Sequence, residues 1–227
     1  MEVNATFHAI PPDATVRGWD RKTPPGFRFA LKLPRAITHE ARLQLPDCEP
    51  LLEDFLRAAR LLGDKLGPLL VQLPPSFDRT PVHRLALAGF LDRLPTAELC
   101  VAVELRHPSW SDPAVERALA ERNVAWCLAE GGPNSRAVMY PADFAYVRWN
   151  RSGHTFPDFS EVWLDRSADL DWWADTLRRI PAHVKRVFGY MSNEFAGHGP
   201  ASLRALQERL GLPSVDPKSL WPQRTLF

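Results

Sequence analysis

Charged side chains stand at the ends of three otherwise apolar segments of this sequence. Lys32 follows the letters FAL, Glu104 follows VAV and Arg148 follows AYV. A charge in such a segment loses its hydration unless it is paired or faces a wet pocket. We therefore predict one of two arrangements. The three residues form a buried ion-pair network, such as Glu104 with Arg148 or Lys32, or they line a ligand site that also uses those pairs.

Anion binding is the chemistry that the cationic members of this set favour. The forked guanidinium group of arginine suits phosphate and carboxylate groups. The chain carries 28 basic and 27 acidic residues, so attraction of a polyanion would have to come from a local cluster. The candidate cations are Lys32, Arg35, Arg106 and Arg148.

Proton transfer is the second chemistry that the residue types allow. Glu104 would orient an arginine or act as a general base. His39 and His107 are the candidates for proton transfer by type, because imidazole titrates near neutral pH. For each histidine, a hydrogen-bonded structural role is the alternative.

A divalent-metal site of mixed carboxylate and imidazole ligands is a further alternative. The sequence contains no HxH or HExxH spacing, which weakens this hypothesis. Its ligands would come from Glu2, Glu104, Glu130, His39, His107 and His198.

These residues must be positioned by an alternation of strands and helices along the chain. One helix is expected to begin at Ser111-Asp112, where a capping residue precedes Pro113. Gly211 is expected to end the last helix. Strands are predicted near 2–7, 27–33, 69–73, 99–105, 124–129, 144–149 and 185–191. Helices are predicted near 50–62, 81–94, from 111, 168–180 and 200–210. This order predicts an α/β fold with a parallel sheet, either an open doubly wound sheet or a TIM-type (β/α) barrel. We favour the barrel, in which the strand ends would converge on one face.

Several motifs together resemble the YecE-like family, a conserved domain of unknown function. The motifs are EVNATFHAIP, TPPGFRFALKLPRAITHEARL, LGPLLVQLPPSF, AVELRHPSW and FAYVRW, with Asn193 and Gly197-His198 after them. The resemblance covers essentially the whole chain and implies a TIM-type barrel with a polar site at the strand ends, but no reaction. The matching positions are Glu2, Asn4, Lys32, His39, Gln72, Glu104, Arg106, His107, Trp110, Arg148 and Asn193.

The chain departs from this family in three places. Trp149-Asn150-Arg151 replaces Leu-His-Gly, and Ser192-Asn193-Glu194 stands where a doubled asparagine is usual. The family has a further strand and helix before EVNATF, so we expect this barrel to lack its first βα unit, through a misassigned start or a real truncation. Such a barrel would expose two strand edges.

The remaining composition places limits on the setting of the protein. Its 227 residues suit one domain, which we place at 1–211, followed by an extended tail at 212–227. Cys48, Cys100 and Cys127 fit neither a CxxC motif nor a disulfide framework. No signal peptide and no membrane-spanning segment is recognised. We therefore expect a cytoplasmic protein.

The tail carries a separate signal. The last five residues, QRTLF, look like the short peptide by which bacterial replication and repair proteins bind the DNA sliding clamp. Gln223 would supply a hydrogen-bonding amide, while Leu226 and Phe227 would fill an apolar pocket. The alternative is that Leu226 and Phe227 fold back onto the barrel.

Two function classes follow from the sequence. The first is an enzyme acting on a phosphorylated or nucleic-acid-derived substrate. Glu104, His107 and His39 would be catalytic, and the substrate would contact Glu2, Asn4, Lys32, Gln72, Arg106, Trp110, Arg148 and Asn193. The second is a non-catalytic protein that binds a small anion or acts as an adaptor through its tail. No cofactor is identified, and a divalent metal stays open.

Overall fold

A computed structural model describes residues 1–131, 134–150 and 153–215. Its contacts divide the chain into two compact units. The first comprises 1–148 with 182–190, and the second comprises 149–181 with 191–227. The proposed boundary between a barrel at 1–211 and a tail at 212–227 stays a prediction, because most of that tail lies outside the described residues.

Seven strands form one sheet in sequential order, β1 to β7. The register pairs Leu69 with Val101 and Gln72 with Glu104, and the first four pairings are parallel. The predicted TIM-type α/β barrel is confirmed. The strands are β1 (Glu2–Val3), β2 (Phe29–Lys32), β3 (Leu66–Gln72), β4 (Val101–Glu104), β5 (Val124–Glu130), β6 (Phe144–Trp149) and β7 (Arg186–Met191).

In the part of the chain that the structure describes, six α-helices lie between and after the strands. Asp112 caps one of them, because its carboxylate accepts a hydrogen bond of 2.7 Å from Ala114 N, and Gly211 ends the last one with a φ of 68°. Both features follow the sequence prediction. The helices are α1 (Asp13–Lys22), α2 (Leu45–Arg60), α3 (Pro81–Arg93), α4 (Pro113–Ala120), α5 (Ser167–Arg178) and α6 (Gly199–Leu210).

The start of the chain differs from its predicted structure. The first strand ends at Val3 rather than at residue 7, and Ala5–Phe7 forms a turn of 3₁₀ helix. Helix α1 was not predicted, because its ten residues carry few apolar side chains. It is held by Val16, which is buried, and by Trp19, whose ring stacks on Phe29 with 6.0 Å between ring centroids.

The interior of the first unit is an apolar cluster drawn from six strands. Alanines on β2, β4 and β5 leave room that the aromatic rings of β6 and β7 fill, including Tyr146, which is fully buried. Side chains from β2 and from β7 could not join one cluster if the sheet were flat, so the sheet curls around them. The cluster contains Ala30, Leu70, Ala102, Ala125, Cys127, Ala142, Phe144 and Tyr146, with Cys100, Phe188 and Tyr190 packed against it.

The second unit is built around helices α5 and α6, which pack against each other. Arg209 Nε lies 2.6 Å from Asp171 Oδ1 and links the two helices. The ring of Trp149 meets that of Trp173 edge to face at 5.5 Å. Gly197 has a φ of 105°, and a Cβ there would lie 2.5 Å from Trp163 Cδ1, so only glycine fits.

None of the helices in the described part of the chain is both long and apolar enough to cross a membrane. The three cysteines carry free thiols.

Candidate functional site

Arg148 lies at the centre of a buried ionic network inside the barrel. Its Nη1 donates a hydrogen bond of 2.5 Å to Glu104 Oε2, and its Nη2 donates one of 2.8 Å to Glu2 Oε1. The three side chains are only 6–8% exposed. The predicted ion pair between Glu104 and Arg148 is therefore present, and it joins strands β1, β4 and β6.

Glu104 is held by three donors. Its Oε1 accepts from Arg106 Nε at 2.7 Å, and its Oε2 accepts from Gln72 Nε2 at 2.8 Å as well as from Arg148. Burial alone would raise the pKa of Glu104, but Arg148, Arg106 and these hydrogen bonds outweigh it and lower the pKa to about 2. The carboxylate is therefore ionised at neutral pH, and its surroundings suit the orientation of arginines better than proton transfer.

Glu2 is the second carboxylate of the network. While its Oε1 binds Arg148, its Oε2 accepts a hydrogen bond of 2.7 Å from Tyr146 Oη. Burial and the charge of Glu2 raise the pKa of Tyr146 well above its usual value, so the phenol stays protonated. The ring of Tyr190 lies 5.1 Å from that of Tyr146. This arrangement leaves Glu2 with a partner on each oxygen.

Lys32 differs from the rest of the network because no described residue is an anionic partner of its side chain. Its Nζ lies 3.7 Å from the centroid of the Phe7 ring, and the residue is only 9% exposed. It forms no ion pair or hydrogen bond through Nζ with any described residue. Burial, with Arg148 and Arg106 adding to it and Glu104 and Glu2 opposing it, lowers the pKa of Lys32 to about 8.

His39 lies close to the same amine. Its ring meets Phe7 edge to face at 5.0 Å, and its Nδ1 lies 2.9 Å from Thr38 Oγ1. Burial lowers its pKa to about 4, with further lowering by Lys32 and Arg35. His39 is therefore a neutral imidazole at pH 7. Arg35 is largely exposed and pairs with Glu40 at 3.2 Å.

Arg106 is a partly exposed member of the network. Its side chain is 38% exposed and uses Nε to bind Glu104. Its two terminal nitrogens have no hydrogen-bond partner among the described residues. Three cations, Lys32, Arg106 and Arg148, thus face two carboxylates, Glu2 and Glu104, which leaves an excess of one positive charge.

Three other predicted substrate-binding or catalytic residues have the following surroundings. His107 caps a 3₁₀ turn, with Nδ1 accepting from Ser109 N at 3.2 Å. Trp110 is buried, and its Nε1 donates to Phe77 O at 2.7 Å. Asn4 is exposed. Their assigned roles stay predictions, but these contacts favour structural functions for His107 and Trp110.

Asn193 belongs to the second unit. Its Oδ1 accepts a hydrogen bond of 2.8 Å from Gly199 N, at the first residue of α6. That contact ties the turn before α6 to the helix, so it explains an asparagine at this position without a ligand. The predicted role in substrate binding is untested.

The remaining predictions concern metal and the tail. In residues 1–131, 134–150 and 153–215 no group of three or more His, Cys, Asp or Glu side chains could hold a metal ion. The partner-binding residues Gln223, Leu226 and Phe227 lie outside the described residues.

Sequence reasoning missed two members of the site. Tyr146 lies two residues before Arg148, and strand residues two apart face the same side. That alternation could have placed the phenol beside the network. Phe7 has no comparable signal, because its contact with Lys32 depends on the 3₁₀ turn that replaces the predicted strand.

Comparison with known proteins assigns the chain to a family. Residues 1–225 match the model of a family described as "Protein of unknown function DUF72". The chain belongs to the DUF72 family. The predicted resemblance to YecE is also confirmed: this DUF72 protein is 33% identical over 138 residues to the UPF0759 protein YecE of Escherichia coli K12, a match covering 59% of the chain and 49% of YecE. The chain therefore spans about half the length of that relative.

Other relatives match over more of their length. The UPF0759 protein YunF of Bacillus subtilis is 24% identical over 240 residues, covering 93% of the DUF72 chain and 83% of YunF. A crystal structure of a DUF72 family protein from Enterococcus faecalis superposes with a TM-score of 0.77 at 20% identity, covering 95% and 86% of the two chains. One from Thermotoga maritima gives 0.65 at 22% identity, covering 91% and 81%. These structures support the fold.

Proposed function

We propose that this DUF72 protein is a cytoplasmic enzyme that acts on a small phosphorylated substrate, free or derived from nucleic acid, at the carboxyl ends of its strands. The observation that carries the proposal is that Lys32 is buried with no anionic partner among the described residues, while it interacts electrostatically with the partly exposed Arg106. A buried ammonium without an anion is costly, and a bound phosphate would supply the missing charge.

In binding, Lys32 would supply a positive charge, and Arg106 would supply hydrogen bonds as well as charge. Arg106 offers two neighbouring N–H groups, which match two oxygens of a phosphate. Its orientation is fixed by Glu104, which in turn is held by Gln72 and Arg148. Such a backing carboxylate reduces the entropy that the arginine loses when it binds.

The proton-transfer group of this proposal is His39. As a neutral imidazole near Lys32, it can accept a proton from a bound substrate. Glu104 serves as a positioning residue, because Gln72, Arg106 and Arg148 already occupy its oxygens. His107 stays a candidate whose present partner is Ser109.

Calorimetric titration with inorganic phosphate, sugar phosphates and mononucleotides tests the binding step. We expect Arg106→Gln to weaken the binding of the best ligand at least about tenfold, since a lost charged hydrogen bond costs about 1.5–3 kcal/mol. Arg93→Gln is the matched control: Arg93 has the same 38% exposure and pairs through Nε with Glu49 on the outer helices. Equal binding by both variants, or no binding by the unaltered chain, would contradict the proposal.

The second candidate is a non-catalytic adaptor, favoured by the terminal QRTLF sequence. Calorimetry with a bacterial sliding clamp, using the full chain and a chain without residues 223–227, tests it. Loss of binding on truncation would support recruitment to DNA. Turnover of a phosphomonoester or phosphodiester, with or without a divalent metal, would exclude a purely adaptor function.

A further inference from the structure

The amine of Lys32 is placed differently from the other largely buried lysine of the first unit. Lys65 Nζ donates to Thr23 O at 2.8 Å and lies 3.2 Å from Asp20 Oδ1, so its charge is neutralised. Lys32 Nζ instead lies against the apolar face of Phe7, at the last residue of β2, with no acceptor among the described residues. The ring face attracts a cation, but it supplies neither a negative charge nor a hydrogen-bond acceptor of the kind that Lys65 has.

We propose that Lys32 is a nucleophile that forms an imine with the carbonyl carbon of a small aldehyde or ketone whose phosphate group is held by Arg106. This inference rests on the proposed function, because it adds a reacting carbonyl group to the phosphorylated substrate. It assigns the two cations separate tasks: Arg106 binds the anion, and Lys32 reacts.

The electrostatic surroundings increase the fraction of Lys32 that is uncharged near neutral pH. The cations Arg148 and Arg106 oppose protonation of Lys32, while both carboxylates that face it, Glu2 and Glu104, are already engaged by arginines. The neighbouring His39 is neutral at pH 7. A lysine whose pKa lies near 8 has roughly a tenth of its amine unprotonated at pH 7, whereas an ordinary lysine has less than about a thousandth.

The reaction balances without any further reactant. The Nζ lone pair forms a bond to the carbonyl carbon, the C=O π electrons move to oxygen, and that oxygen takes up a proton that the nitrogen releases. The resulting carbinolamine loses its oxygen as water, with one proton coming from nitrogen, as the C=N bond forms. The Phe7 ring shields one side of the nitrogen from water, and we assign the relay of protons to His39, whose ring contacts the same Phe7 ring.

Borohydride trapping provides the test, since reduction converts a transient imine into a stable secondary amine. The full chain is mixed with glyceraldehyde 3-phosphate or dihydroxyacetone phosphate, or with the same compounds lacking phosphate, and reduced at once. Peptide mass mapping then compares Lys32 with Lys185, whose side chain is 74% exposed and reports unspecific modification. Lys32→Arg and Lys32→Met remove the nucleophile, and Lys65→Arg is the matched control.

We expect labelling of Lys32 to exceed that of Lys185 at least about tenfold with a phosphorylated compound, and to increase as the pH rises through 8. Labelling at that site should disappear in both Lys32 variants, persist in Lys65→Arg, and fall about tenfold in Arg106→Gln. Thermal unfolding confirms that each variant is folded.

The possible failures are distinguishable. Calorimetric phosphate binding that depends on Arg106, without selective labelling of Lys32, would overturn the imine and leave the anion site standing. Labelling of Lys32 no stronger than that of Lys185 would overturn it as well. If neither phosphate binding nor labelling occurs, both the inference and the proposed function fail.

Discussion

The two halves of the barrel interior differ sharply although the same strands build both. Towards the amino ends the inward positions are apolar, as at Ala30 on β2 and Ala102 on β4. Two residues later on the same strands the inward positions carry the charges of Lys32 and Glu104. All four side chains are buried, so exposure does not separate the halves.

The difference lies in what compensates for burial. In the apolar half, removal of hydrocarbon from water stabilises the fold directly. In the polar half, each charge loses hydration and stabilises the fold only if a partner of opposite charge replaces the water. Glu104 and Arg148 have such partners, but Lys32 does not. The polar half therefore contains both stabilising and destabilising residues, and three measurements separate them.

The largest expected effect is that of Arg148→Met. Removing the guanidinium leaves Glu104 and Glu2 buried without their main partner, so we expect a loss of about 3–5 kcal/mol in the free energy of unfolding. Urea denaturation monitored by tryptophan fluorescence measures it. Arg93 on helix α3 forms a partly exposed ion pair with Glu49, so Arg93→Met should lower the free energy of unfolding by less than about 1 kcal/mol. Similar losses for the two variants would mean that the buried network has no special stability.

The next effect is a pH dependence that belongs to Glu104. Its pKa is lowered from 4.5 to about 2 in the folded chain, so its contribution is fully present above pH 4.5 and is lost as the pH falls towards 2. We expect about 3 kcal/mol to disappear over this window, and Glu104→Gln to flatten that part of the curve. Leu70→Ala, in the apolar half, should lower stability by about 2–5 kcal/mol equally at every pH. A Glu104→Gln curve parallel to that of the unaltered chain would contradict this assignment.

The smallest effect has the opposite sign. The pKa of Lys32 is lowered from 10.5 to about 8, so the unfolded chain binds more protons between these values and stability should rise with pH there. Lys32→Met should therefore stabilise the protein at pH 7 by about 1–2 kcal/mol, with the gain vanishing near pH 10.5. Lys65→Met should destabilise it instead, since Lys65 has its acceptors. Destabilisation by Lys32→Met at pH 7 would show that the amine has a partner in solution.

Much of the site was predictable from local sequence. A charge after an apolar strand is costly wherever the strand lies, so Lys32, Glu104 and Arg148 could be singled out and their burial expected. The same argument does not extend to His107 and Trp110, because a loop residue can face either a ligand or the protein itself. The choice depends on neighbours such as Ser109 and Phe77, which the motif does not reveal.

What the sequence determined by itself was the succession of strands and helices and a parallel sheet, because these follow from the alternation of apolar segments with amphipathic helices. The choice of a barrel depended in addition on the charged strand ends and on the resemblance to the YecE-like family. The sequence also determined which residues would be buried with a charge. Only the tertiary structure decided which charges are paired: Arg148 binds Glu2, which lies 146 positions away in the chain, while Lys32 lies against Phe7 with no anion among the described residues. The physical reason is that pairing depends on distances of a few ångströms between strands, and curvature and register of the sheet set those distances.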